Sequence, residues 1–220
     1  MVDEYLSERE QAEQLRHWLR ENWIWLVAGV ALALGGYYGY RWWESRQASR
    51  SVEAGQRLAA MLDAIGAGKR EEGLAIADEI TGEFGDTPYA DQAQLVLARL
   101  DVDAGKLADA ETRLAKVAAE SEDPDLRIVA RLRLARVQLA AGRYDDAVKA
   151  LDAVDMPAVD ARVLELRGDV ALARGDRDAA LAEWRTALAV ADADPATGAQ
   201  VDAELLRLKI DELGAAKPAE

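Results

Sequence analysis

The residues best equipped for chemistry are carboxylates, and some come in close pairs. Asp101 stands two residues from Asp103, and Asp145 is followed directly by Asp146. Paired acids at such spacing can share a metal ion or divide general acid and base work. The other ingredients of a catalytic centre are scarce. The chain has no cysteine, which removes thiolate nucleophiles, disulfides and thiolate metal sites together and fits an oxidising compartment. His17 is its single histidine, beside an apolar stretch where an imidazole is more often a headgroup neighbour than a ligand. Gly66-Ala67-Gly68-Lys69 lacks the spacing of a phosphate-cradling loop, and no serine sits in a nucleophile elbow. The acids have a plainer reading as solvated helix faces and caps. Asp109, Asp145 and Asp178 each follow a glycine by three or four residues, where an acid steadies a helix N-terminus by about 0.3–1 kcal/mol. No catalytic site is expected, and with it no metal, no cofactor and no small-molecule substrate.

The element that must position everything else is the run from Trp23 to Tyr40. Asn22 to Tyr40 is a stretch of nineteen residues without a charge. As a helix it covers roughly 28 Å, the depth of one bilayer core. Trp18, Trp23 and Trp25 gather at one end and Tyr37, Tyr38, Tyr40, Trp42 and Trp43 at the other, where amphipathic rings settle at headgroup level. A buried core helix seldom carries aromatic clusters at both ends. A cleaved signal peptide fits poorly, because the leader is long and mostly acidic and the run ends in bulky residues. The reading is an uncleaved single-span anchor embedded in membrane lipid, spanning residues 22–43 after a leader of residues 1–21. Flanking arginines tie, with Arg9, Arg16 and Arg20 before the span and Arg41, Arg46 and Arg50 after it, so charge bias does not orient it. Ala31, Gly35 and Gly39, spaced four apart, make one narrow stripe of small side chains that would let another helix approach in lipid.

Charge bounds the partners. Residues 1–50 hold seven acids and six Lys or Arg, net −1, which leaves −13 of the chain's net −14 on residues 51–220. An acidic surface repels phosphate backbones, so nucleic acid is not expected as a partner and protein is.

Beyond the span the chain repeats itself. Gly105, Gly142 and Gly175 are each followed by alanine five residues later (Ala110, Ala147, Ala180) and by a large apolar residue nine later (Leu114, Leu151, Trp184). Gly68 begins a weaker copy, with Gly73 and Ala77 in those places, and the intervals are 37, 37 and 33 residues. Such a period marks stacked two-helix units, with the glycine at the turn. Seven residues before the three better glycines stand Ala98, Ala135 and Gly168, small residues that allow close helix packing. Pro88, Pro124 and Pro195 fall at helix openings. The pattern predicts helices near 44–66, 71–84, 88–104, 107–120, 124–141, 144–154, 158–173, 177–191 and 197–214. The repeat domain then covers 44–214, with residues 215–220 as a loose tail. The last helix would cap the array through Leu205, Leu206, Leu208 and Ile210.

Gly142, Tyr144 and Ala147 form a Gly-x-Tyr-x-x-Ala run that resembles the tetratricopeptide repeat. The whole order resembles the ancillary SecYEG translocon subunit family: an acidic leader, a glycine-rich span ending in Tyr37-x-x-Tyr40-Arg41-Trp42-Trp43, a polar helix, then the runs Leu132–Leu139 and Leu166–Asp169. The degenerate copy at Gly73 and Ala77 departs from the repeat. The fold expected is all-α, a single transmembrane helix followed by an α-solenoid of tetratricopeptide-like helix pairs. The resemblance implies a bacterial inner-membrane protein with its N-terminus in the cytoplasm and its repeats in the periplasm. The implied partners are the SecYEG translocon and a periplasmic chaperone, a membrane-anchored peptidyl-prolyl isomerase-like protein among the candidates. In tetratricopeptide arrays the first helices line a concave face. By that resemblance the partner-binding residues are Gln92, Leu95, Arg99, Val102, Val129, Leu132, Arg136, Leu139, Arg162, Glu165, Asp169 and Leu172. Leu95 and Leu132 could equally be core, and the arginines could pair with nearby acids. The function expected is a non-enzymatic ancillary factor linking emerging polypeptides to chaperones. The alternative is an envelope scaffold or cell-division adaptor that uses the same repeats without touching translocating chains.

Overall fold

Four glycines take a left-handed backbone, Gly68 (φ 77°), Gly105 (72°), Gly142 (73°) and Gly175 (85°), and among the described residues no other residue type does. They are the four glycines of the repeat. Each ends a helix in the same way: its own N–H donates to the carbonyl three residues back, and the next N–H to the carbonyl five back. Lys106 N–H donates to the Asp101 carbonyl and Arg143 N–H to the Gln138 carbonyl, both at 2.8 Å. This double closure satisfies helix-end carbonyls and needs a positive φ at the glycine.

The structure is a computed structural model and describes residues 8–154, 160–193 and 201–215, with side chains at 13 and from 15 onward. Nine helices lie among them: α1 Glu8–Gly66, α2 Arg70–Glu83, α3 Pro88–Asp103, α4 Leu107–Glu120, α5 Pro124–Ala140, α6 Tyr144–Asp152, α7 Ala161–Ala173, α8 Arg177–Ala193 and α9 Ala203–Ala215. The chain divides into two units, Met1–Val52 and Glu53–Glu220. In the first, α1 carries Trp23–Tyr40 with its large apolar side chains exposed, and it is the one described helix long and apolar enough to cross a membrane. Arg46 lies over the Trp42 ring at 5.1 Å.

The second unit stacks neighbouring helices, with α3 on α4, α5 on α6 and α7 on α8, joined by further contacts of α2 with α3, α4 with α5, α6 with α7 and α8 with α9. Pro88 and Pro124 open α3 and α5 at their first turns, where the missing N–H leaves no bond unmade; Pro195 lies outside the described residues. Ala110, Ala147 and Ala180 are fully buried, as are Leu114, Leu151 and Trp184 to within 2%. The weaker copy is also closely packed at its small residues. Ala77 is fully buried, and a Cβ placed on Gly73 would come 2.6 Å from Ile65 Cγ1, so glycine is what this close approach admits.

On α1 the buried stripe is Ala54, Leu58, Met61 and Ala64 with Ile65 beside it, and Val52 and Leu62 are exposed, because the 3.6-residue turn carries those two off the face. Several expected positions shift. Helix α7 begins at Ala161 with Asp160 as its cap, and the expected start at 158 lies outside the described residues. Helix α9 begins at Ala203 rather than 197, with 194–200 outside the described residues. Its face on the core is Leu206 with Ile210 and Leu213, and Leu205 and Leu208 point outward.

Candidate protein-binding site

The α-helical arginines decide where a ligand can sit. Residues 126–144 contain five arginines and no acid, in a chain with 41 Asp and Glu. Two of those on α5 are satisfied by backbone: Arg127 donates to the Ser121 carbonyl at 2.7 Å, and Arg131 to the Ala153 carbonyl at the end of α6. Arg143, at the opening of α6, pairs with Glu111. Arg133 and Arg136, one turn apart on α5, have no hydrogen-bond or ion-pair partner among the described residues. They line a cavity of about 470 Å³ together with Arg99 and Val102 of α3. Its apolar wall comes from Leu95, Val96, Leu107, Leu114, Val137 and Ala140. Arg99 meets Asp103 at 3.4 Å in an exposed pair of little energetic weight. Burial, and then the charges of Arg136 and Arg99, push the Arg133 guanidinium below its ordinary pKa. A guanidinium does not shed its proton in a protein, so the shift measures how unfavourable the local field is for one more cation.

The residues expected on a shared face do not form one surface. Arg99, Val102, Arg136 and Leu95 line the cavity, and Leu95 is also core at 5% exposure. Gln92 is half-buried on α3. Val129 packs partly against the α3–α4–α5 core, while Leu132 and Leu139 belong to or pack on the α5–α6–α7 core. Three of the four α7 residues are engaged within the chain. Arg162 holds Asp160 in a hydrogen-bonded ion pair. Glu165 and Asp169 both accept from Lys209 Nζ of α9, at 2.9 and 2.8 Å. Asp169 also accepts from Trp184 Nε1 at 3.1 Å, and Lys209 sits 5.5 Å over that ring. Burial works against the Lys209 ammonium, but the Asp169 and Glu165 hydrogen bonds outweigh it and raise its pKa. Leu172, at the end of α7, is exposed.

Arg133 was not among the expected positions, which tracked 129, 132, 136 and 139 along α5. The acid-free arginine run was the signal for it. The paired carboxylates are in ion pairs: Asp101 with Arg113 at 2.8 Å, Asp103 with Arg99, Asp145 with Arg174, and Asp146 with Lys149 at 3.1 Å. His17 lies 3.4 Å from Glu21, one turn on. The stripe Ala31, Gly35 and Gly39 lies on α1, where a Cβ on either glycine would meet nothing within 4 Å.

A helical-hairpin array closed by left-handed glycines, with an apolar helix before it, defines a class. A family model described as a tetratricopeptide repeat-like domain matches residues 16–215. The "Ancillary SecYEG translocon subunit" of Escherichia coli (strain K12) is 32% identical over 95% of this chain and 98% of its own length. Proteins of the same description in Haemophilus influenzae and Neisseria gonorrhoeae are 26% and 29% identical, each matching over 98% of its own length. The chain belongs to the ancillary SecYEG translocon subunit family.

Proposed function

We propose that this chain is a single-span inner-membrane ancillary subunit of the Sec translocon that binds proteins through its repeats and catalyses no reaction. The N-terminus lies in the cytoplasm and the repeats in the periplasm, where they link emerging polypeptides to a chaperone, such as a membrane-anchored peptidyl-prolyl isomerase-like protein. One observation carries the reading. Similarity to proteins named for SecYEG runs through the apolar helix and the repeat array together, over 95% of this chain. The leader is residues 1–21, the span 22–43 and the repeat domain 44–214. The cavity between α3 and α5 supports protein binding, because it joins apolar surface to Arg133 and Arg136, with which no acid among the described residues pairs.

Purification of the tagged full chain from solubilised membranes should recover channel subunits, and a periplasmic chaperone with them. Recovery of the intact chain without channel subunits, under conditions that preserve the channel, would remove the translocon assignment. A reporter that works only outside the cytoplasm should be active when fused after Glu220; strong activity from a cytoplasm-only reporter there would reverse the topology.

A further inference from the structure

The groove between α3 and α5 holds positive charge that the array leaves unmatched. Elsewhere several arginines find acids on other helices or turns: Arg57 meets Glu79, Arg113 meets Asp101, Arg167 meets Asp152 and Arg207 meets Asp192. Around the groove, Asp103 on Arg99 is the one acid bound to any of the three lining arginines among the described residues. Three guanidiniums and one carboxylate leave a local excess of two positive charges, set in a chain of net −14. The remaining surface is aliphatic and belongs to α3, α4 and α5. A ligand suited to it carries two negative charges and large apolar groups at the same time.

We propose that the groove binds a segment of a partner polypeptide in which two carboxylate side chains alternate with large aliphatic or aromatic ones. Arg133 and Arg136 each present a planar fork that takes a carboxylate through two parallel N–H bonds, a match in geometry as well as charge. The apolar side chains of the segment fill the cavity of about 470 Å³ over Leu95, Leu107 and Val137. Charge stoichiometry favours a polypeptide over a fatty acid, which brings a single carboxylate to an excess of two. Arginines on two separate helices also suit a chain that presents acids along its length. The proposal deepens the protein-binding reading above and rests on it, by giving the array a class of ligand.

Fluorescein-labelled peptides GSLEFELSG, GSLQFQLSG and GSSESESSG, titrated with the full chain in lipid nanodiscs against empty nanodiscs, separate the charged and apolar contributions by fluorescence anisotropy. The first peptide should bind, and loss of either the carboxylates or the apolar side chains should weaken binding about tenfold or more. Binding should also weaken as salt rises. Arg133→Gln combined with Arg136→Gln should cost about tenfold or more. Arg185→Gln, which removes a cation from the exposed side of α8, should leave binding unchanged. Equal affinity for the three peptides, or unchanged affinity of the double variant, would overturn the proposal. The peptide series decides this even if the double variant fails to fold. Saturable binding of dodecanoate with no binding of the first peptide would assign the groove to an anionic amphiphile and overturn it equally. The two readings fail separately. A wild-type chain that recovers channel subunits but binds no peptide keeps the translocon role and loses the groove. One that binds the first peptide and recovers no channel subunits does the reverse.

Discussion

Gly168 shows how one missing methyl sets a helix contact. On α7 it faces Trp184 of α8, whose indole is 1% exposed and donates from Nε1 to the Glu165 carbonyl and Asp169 Oδ1, both at 3.1 Å. A Cβ at 168 would fall inside contact distance of the indole Cδ1 and Nε1. Two effects therefore oppose each other in Gly168→Ala. Helix propensity favours alanine by about 1 kcal/mol, and overpacking a filled site costs about 1–3 kcal/mol. The ring cannot step aside without losing its hydrogen bonds, so overpacking wins. Gly168→Ala should lower stability by about 1–2 kcal/mol in urea melts of residues 44–220 followed by circular dichroism. Gly82→Ala, on α2 with open space around it, should be neutral or stabilising. Equal behaviour of the two variants would contradict the close approach.

At the scale of elements, helix ends are where this chain is most explicit. Acids stand in the first turns of α4, α6 and α8, as their spacing after the turn glycines predicts. The cap positions themselves differ. Lys106 and Arg143 cap α4 and α6 without a side-chain bond, so the acids there act on the helix start through the dipole and not as caps. Helices α5 and α7 are capped by side chains, Asp123 accepting from Asp125 N–H at 2.8 Å and Asp160 from Arg162 N–H at 2.7 Å. Asp160 is nearly buried. Burial works against its charge, but hydrogen bonds from the Arg162 side chain and backbone, the Arg162 charge and the Val163 N–H outweigh that and hold its pKa below the ordinary value. A carboxylate held low in the folded state contributes stability above its unfolded pKa and loses it as pH falls through the folded one. Asp160→Ala should therefore cost about 1–2 kcal/mol at pH 7, and the gap to wild type should close from about pH 4 downward. A gap that stayed constant to pH 2 would show that the cap's charge contributes nothing.

At the scale of the whole molecule, the apolar segment Trp23–Tyr40 belongs to the first unit, while Ala54, Leu58 and Met61 of the second are buried in its core. On the small-residue stripe Ala31, Gly35 and Gly39, a Cβ on either glycine meets nothing within 4 Å among the described residues. If the stripe meets a helix of a partner in lipid, Gly35→Leu should reduce copurification of that partner while membrane insertion persists, since packing rather than hydrophobicity drives association there. Leu34→Ile, off the stripe, is the control. Intact copurification by Gly35→Leu, together with loss on deletion of residues 51–220, would assign association to the repeats and reduce the span to a tether.

What the sequence determined by itself is the local part of the structure: the uncharged run, the four turn glycines, and the alanines five residues on. Each is a local requirement, a span of apolar length, a positive φ or a close contact at fixed helical spacing, and so it is written in consecutive residues. The expected helices match α2 to α6 to within a residue or two for the same reason. The side-chain economy was decided by tertiary structure. Nothing in the spacing of Glu165 and Asp169 reveals that Lys209, forty and more residues away, lies between them. Nor does helical periodicity say which of Leu132 and Arg133 faces the groove, because a rotation of one residue about α5 depends on how α3 and α4 pack beside it. The arginines of α5 could be counted in the sequence. That two of them reach backbone carbonyls while Arg133 and Arg136 border an apolar cavity follows only from three helices meeting.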